Sequence, residues 1–167
     1  MLWTGVLEWN DITSNKPAWN TFFWFATLVA LANGLSTTGF IAWLGKEGGI
    51  LMSGVSPTTA TILIVVAFYL LHYLFASSTA HTTALLPAAL TIASTIPGMN
   101  MQVFCMLMVT SLGVMGIITP YGTGPSPIYY GSGYLPTKDY WRLGTIFGAI
   151  FLAALLLIGY PWMAMMF

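Results

Sequence analysis

Residues 61–87 read TILIVVAFYLLHYLFASSTAHTTALLP, and the way this stretch divides decides the fold. Its first half, 61–74, is one of the most apolar runs in the chain. It ends abruptly in Ala76-Ser77-Ser78-Thr79-Ala80-His81-Thr82-Thr83, small residues and hydroxyls with no formal charge among them. Upstream, Ser56-Pro57 is a helix-start pair, because Ser caps first-turn amides and Pro at the first helical position forfeits no bonded N–H. A helix begun there reaches residue 76 before the hydroxyls interrupt it. The next apolar piece, 83–96, is too short to cross roughly 30 Å of hydrocarbon. It also carries Pro87 and is closed by Pro97-Gly98. With only Ser77–Thr82 between them, the two pieces read as a re-entrant helical hairpin over 57–97, its tip at 76–82.

The composition sets the solvent. The chain has 167 residues, 57% hydrophobic and 5% charged, with a mean hydropathy of +0.83. Soluble domains carry about 25% charged residues. Four Lys/Arg and four Asp/Glu cannot cover a soluble surface, so the expected class is all-α integral membrane, with the lipid bilayer as a partner. A net charge of zero supplies no electrostatic footprint for nucleic acid. Cys105 stands alone, which rules out an internal disulfide and suits a small apolar packing residue.

The rest of the chain divides around the hairpin. Residues 1–17 have neither a basic leader nor a cleavage site and read as a loop carrying Glu8, Asp11 and Lys16. The 18–46 segment reads as a spanning helix over 18–33, joined at Asn33-Gly34 to an interfacial arm helix. The 100–142 segment is a helix over 100–118, broken at 119–127, with a Gly- and Pro-rich loop after it. The last span is 143–167, with Gly144 and Gly148 on one face. No strand-type alternation appears. Lys138 and Arg142 place the start of the last span in the cytoplasm and its end outside, so the hairpin is entered from outside.

Two breaks at membrane depth need a reason. An unsatisfied amide in lipid costs several kcal/mol, so broken backbone persists only where protein buries it or water reaches it. Transporters build their sites from such breaks. A helical arm starting near Ala80 offers free N–H groups and a positive dipole end, and Ser77, Ser78 and Thr79 add hydroxyls. A carboxylate can then be held by neutral donors alone. The same hydroxyls also let helices pack closely, and the residues by themselves leave both readings open. His81 at the tip can donate to an anion or respond to protons, whereas His72 reads as a contact inside the bundle. Two His without nearby Cys, Asp or Glu make no metal site, and no cofactor is expected. Neither is an enzyme: Ser78 has no acidic partner in any span, and GxSxG is absent.

FASSTAHTTALLPA, 75–88, resembles the second Ser-Asn-Thr signature of the divalent anion:sodium symporter family, with Ser78 where sodium-coupled members have Asn. TPYGTGPSPIYYGSGYLPTKDYWRLG, 119–144, resembles the following loop and half-helix in the exchanger branch. That branch includes citrate:succinate and tartrate:succinate antiporters and plastid 2-oxoglutarate/malate translocators. NGLSTTGFIAWL, 33–44, is similar to the family's helix leading into its arm. The resemblance implies the C-terminal inverted repeat of an elevator-type transporter, with a re-entrant helical hairpin and a broken transmembrane helix. It implies exchange of di- and tricarboxylates such as succinate, citrate, tartrate, malate and 2-oxoglutarate. It also implies a bacterial inner-membrane location, a homodimer at full length and a missing N-terminal repeat as partner, the chain being a fragment or a shortened reading frame. The implied substrate-binding residues are Ser77, Ser78, Thr79 and His81 with Thr119, Pro120, Tyr121, Gly122 and Thr123. Ser78 in place of Asn, and Tyr121-Gly122-Thr123-Gly124 in place of Pro-Asn, argue against a sodium site and for sodium-independent antiport. The alternatives are a sodium-coupled symporter and an inert truncated or non-transporting membrane chain.

Overall fold

The computed structural model describes the chain apart from residues 17–18, 20–21, 24–25, 28–29, 32–33, 35–36, 53, 76 and 132. The side chains of residues 41, 44, 127 and 128 are also outside the description. Every regular element among the described residues is helical. The expected loop over 1–17 contains a short helix, α1 (Trp9–Thr13), started by a local exchange in which the Glu8 amide donates to the Asp11 carboxylate at 2.8 Å. The expected span over 18–33 falls largely on residues outside the described ones.

The arm helix differs from the sequence expectation. It starts only at Phe40, after Gly39 at φ +79°, and continues through Gly45-Lys46-Glu47-Gly48-Gly49 as α2 (Phe40–Leu51). Interior glycines each disfavour a helix by about 1 kcal/mol relative to Ala. The gain is close approach to a neighbouring helix. A Cβ at Gly45 would run into the Thr91 side chain, one at Gly48 would lie 2.7 Å from Ile92 Cγ1, and one at Gly49 2.6 Å from Thr95 Oγ1.

The hairpin's first arm is α3 (Pro57–Leu71), where Ser56 Oγ accepts from the Thr59 amide at 3.2 Å and Pro57 opens the helix. The arm tightens into a 3₁₀ turn, His72–Leu74, and Phe75 is extended. Ser77 is extended as well and caps the second arm, α4 (Ser78–Ser94), its Oγ accepting from the Ala80 amide at 3.4 Å. The break is therefore tighter and earlier than 76–82, and residues 78–82 already belong to α4. Seventeen residues rise roughly 25 Å at 1.5 Å each, short of the roughly 30 Å hydrocarbon core.

The core lies where α3 meets α5 (Met101–Val114). Val65, Phe68 and Tyr69 of α3 and Phe104, Leu107 and Met108 of α5 are buried, together with Ala89 and Ala93 of α4. Asn100 caps α5, its Oδ1 accepting from the Val103 amide at 3.1 Å. A 3₁₀ turn at Met115–Ile117 leads into irregular backbone, then α6 (Ser126–Gly131) and α7 (Thr137–Ala154). A π turn at Leu155–Gly159 carries α7 on into α8 (Tyr160–Met166). The last helix thus begins before Leu143, because Asp139 in the first turn suits the helix dipole although hydropathy excluded those residues. Pro57–Leu74 and Thr137–Met166 are long and apolar enough to cross a membrane.

Gly144 and Gly148 seat the broken segment against α7. A Cβ at Gly144 would lie 2.9 Å from the Ile117 carbonyl, and one at Gly148 would collide with the Ile118 side chain. Tyr69 OH donates to the Gly148 carbonyl at 3.0 Å inside the same contact. Gly148→Val is expected to destabilise the complete protein by about 1–3 kcal/mol, the usual range for overpacking. The thermal unfolding midpoint in detergent measures it. Gly113→Ala, inside α5 where a Cβ meets nothing within 4 Å, should hold or raise that midpoint.

Candidate functional site

The two interruptions meet. Ser78 Oγ, at the start of α4, donates to the Gly122 carbonyl at 3.1 Å and joins the hairpin tip to the 118–125 segment. The first amides of any helix lack intrahelical acceptors. Here Ser77 Oγ accepts from the Ala80 amide at 3.4 Å. Thr79 is exposed, and its carbonyl accepts from Thr83 Oγ1 at 2.8 Å. No Asp, Glu, Lys or Arg occurs between Glu47 and Lys138. The field at the tip therefore comes from dipoles and hydroxyls.

The facing segment is held from several sides. Thr119 and Pro120 are buried, with Thr119 Oγ1 lacking a hydrogen-bond partner among the described residues. Tyr121 OH donates to the Tyr73 carbonyl at 3.1 Å, and its ring meets Trp141 edge-on with centroids 6.2 Å apart. Tyr73 stacks on the same Trp141 at 5.9 Å. This aromatic cluster ties the end of the first arm, the loop and α7 together. Thr123 Oγ1 shares a 2.6 Å hydrogen bond with Ser126 Oγ, and a Cβ at Gly116 would strike the Thr123 methyl. Gly122 is buried with no room for a side chain. A Cβ there would lie 2.7 Å from both His72 Nε2 and Thr119 Oγ1.

His81 is placed differently from the expectation. Its ring turns away from the open tip and is fully buried, with Nδ1 3.2 Å from Nδ1 of the equally buried His72. Phe68 packs edge-on to it at 4.2 Å. The structure thus brings Ser78 and Gly122 into contact, sets Ser77, Thr79, Thr119, Pro120, Tyr121 and Thr123 around them, and puts His81 behind. Sequence reasoning missed Tyr73, Trp141 and Ser126. Of these only Tyr73 had a local signal, its position three residues before the 76–83 cluster. Among the described residues no group of three or more His, Cys, Asp or Glu could hold a metal ion.

A family model described as the sodium:sulfate symporter transmembrane region matches residues 1–167. The chain is 54% identical over 163 residues, 98% of its length, to the L-tartrate/succinate antiporter of Escherichia coli strain K12. The antiporters of the same name from Shigella sonnei and Shigella flexneri give the same identity over the same 163 residues. The chain covers 34% of each, so it spans about a third of the length of the curated relatives it matches.

Proposed function

The chain belongs to the sodium:sulfate symporter transmembrane family, and from that premise we propose that it forms part of a membrane exchanger of dicarboxylates. Succinate and tartrate head the substrate class, after the relatives' printed name; citrate, malate and 2-oxoglutarate are its wider members. The observation that carries this reading is the Ser78 Oγ–Gly122 carbonyl bond, by which two helix breaks converge in a stretch free of ionised side chains. Ser77 and Thr79 hold one carboxylate through their hydroxyls and the helix-start amides, while the Ser78 hydroxyl, donating to Gly122, ties the tip to the loop. Thr119–Thr123 close over it. An anion held by neutral dipoles leaves readily, which suits a carrier better than a tight ion pair does.

In the complete protein this chain acts as the C-terminal inverted repeat of a homodimer in the bacterial inner membrane, and the hairpin and broken helix move together as an elevator. The missing repeat supplies the rest of the clamp. Exchange is independent of sodium, because Ser78 and the Tyr121–Gly124 loop depart from the pattern of the sodium-coupled members. The family's own description favours a second reading, sodium-coupled symport.

One experiment separates them. The complete protein is reconstituted into vesicles, empty or loaded with succinate, and uptake of labelled succinate is followed with and without sodium. Antiport gives uptake only into loaded vesicles and the same rate without sodium. Uptake into empty vesicles under a sodium gradient would assign symport, and no uptake in any condition would leave an inert membrane chain.

A further inference from the structure

Behind the tip lie two imidazoles that the carboxylate-holding reading leaves unused. His72 sits in the 3₁₀ turn ending α3 and His81 in the first turns of α4. Both are 0% exposed, with ring centroids 5.1 Å apart and Nδ1 atoms 3.2 Å apart. Two ring nitrogens at that distance need one proton between them, donated by one imidazole and accepted by the other. Among the described residues their outer nitrogens, His72 Nε2 and His81 Nε2, are buried without a hydrogen-bond partner, as is Thr119 Oγ1. Of these, His72 Nε2 and Thr119 Oγ1 flank Gly122, whose carbonyl receives the Ser78 hydroxyl. The pair therefore touches both halves of the clamp.

Its surroundings carry no formally charged side chain. Phe68 and Phe75 pack on His81. α3, α4, α5 and the 115–125 segment carry no Asp, Glu, Lys or Arg. The other titratable groups on these elements are Tyr69, bonded to the Gly148 carbonyl, Tyr73, Cys105, and Tyr121, bonded to the Tyr73 carbonyl. On α7, Lys138, Asp139 and Arg142 are exposed, and the Tyr140 ring packs on Tyr130; on α8, Tyr160 is half-buried.

We propose that the His72–His81 pair takes up one proton when a dicarboxylate binds at the tip, supplying the positive charge that the neutral donors lack. This rests on the carboxylate reading above. In the empty site the two imidazoles carry two ring protons, one between the Nδ1 atoms and one on Nε2 of the accepting ring. A proton released by the acid form of the buffer, whose bond to that proton breaks, adds to the remaining Nε2 and makes one imidazolium. Departure of the dicarboxylate returns that proton to the buffer. Exchange of one dicarboxylate for another then carries a proton each way, so affinity depends on pH while net proton flux does not arise.

The test is calorimetry of succinate binding to the complete protein at about pH 7, in two buffers of different ionisation enthalpy. The wild type is expected to show a buffer-dependent heat corresponding to up to one proton taken up. Its affinity should rise as pH falls, by at most about tenfold per pH unit. In His72→Gln and His81→Gln, which keep hydrogen-bonding capacity, succinate still binds but both dependences are lost. Equal heats in both buffers for the wild type, or unchanged uptake in the two variants, would overturn the proposal while leaving the carboxylate site standing. Absence of any succinate heat in the wild type would instead overturn the carboxylate reading, and the proposal with it.

Discussion

Thr79→Val in the complete protein is expected to cut succinate exchange by roughly ten- to a hundredfold while membrane insertion stays intact. The replacement is nearly isosteric at an exposed position in the first turn of α4, so packing changes little. What is lost is a hydroxyl donor to a carboxylate. Hydrogen bonds to charged groups contribute about 1.5–3 kcal/mol, and each 1.4 kcal/mol is about tenfold in affinity. Thr79→Ser restores the donor and should recover most of the exchange. Wild-type exchange with Thr79→Val would remove Thr79 from the site.

Gly122→Ala is expected to have a comparable effect by another route. The added methyl would press on His72 Nε2 and Thr119 Oγ1 at 2.7 Å and on the Gly116 carbonyl at 3.2 Å. The His72 ring and the Thr119 side chain are fully buried, and the third atom is backbone, so none yields easily. The loop must move, and with it the carbonyl that holds Ser78. Overpacking of about 1–3 kcal/mol falls on the contact that joins tip and loop. Exchange should drop by more than roughly tenfold, with a lowered unfolding midpoint. Gly124→Ala, two residues on, adds a Cβ to open space and should exchange like the wild type. Equal exchange by Gly122→Ala and Gly124→Ala would show that the closeness of loop and tip is immaterial.

What could be read from the sequence follows the range of the interactions concerned. The starts of α3 and α5 were legible because Ser56 and Asn100 cap their own neighbouring amides. Residues of both breaks were placed in one site only by the family resemblance, and the Ser78–Gly122 contact that joins them was not legible. Nor was the direction of His81, because it depends on how α4 rolls against α3. Only Phe68 and His72, four apart on one face of the first arm, hinted at a shared partner, and both touch His81. The start of the last helix was misjudged by reading hydropathy, since Lys138, Asp139 and Arg142 are helical yet polar. The glycines of α2 read as a helix end for the same reason: their benefit lies in α4, more than forty residues away.

The central claim is that the tip and the facing loop together hold the carboxylate. Gly124→Cys, in a complete protein with Cys105 and every other cysteine replaced by Ala, places one thiol beside Thr123 at an exposed position that tolerates a side chain. In vesicles containing the complete protein, the rate of its modification by a charged thiol reagent is measured with succinate, tartrate or acetate present. Succinate and tartrate are expected to slow modification several-fold and acetate to leave it unchanged. An unaltered rate at saturating succinate, in vesicles that still exchange succinate, would contradict the account and place the carboxylate elsewhere.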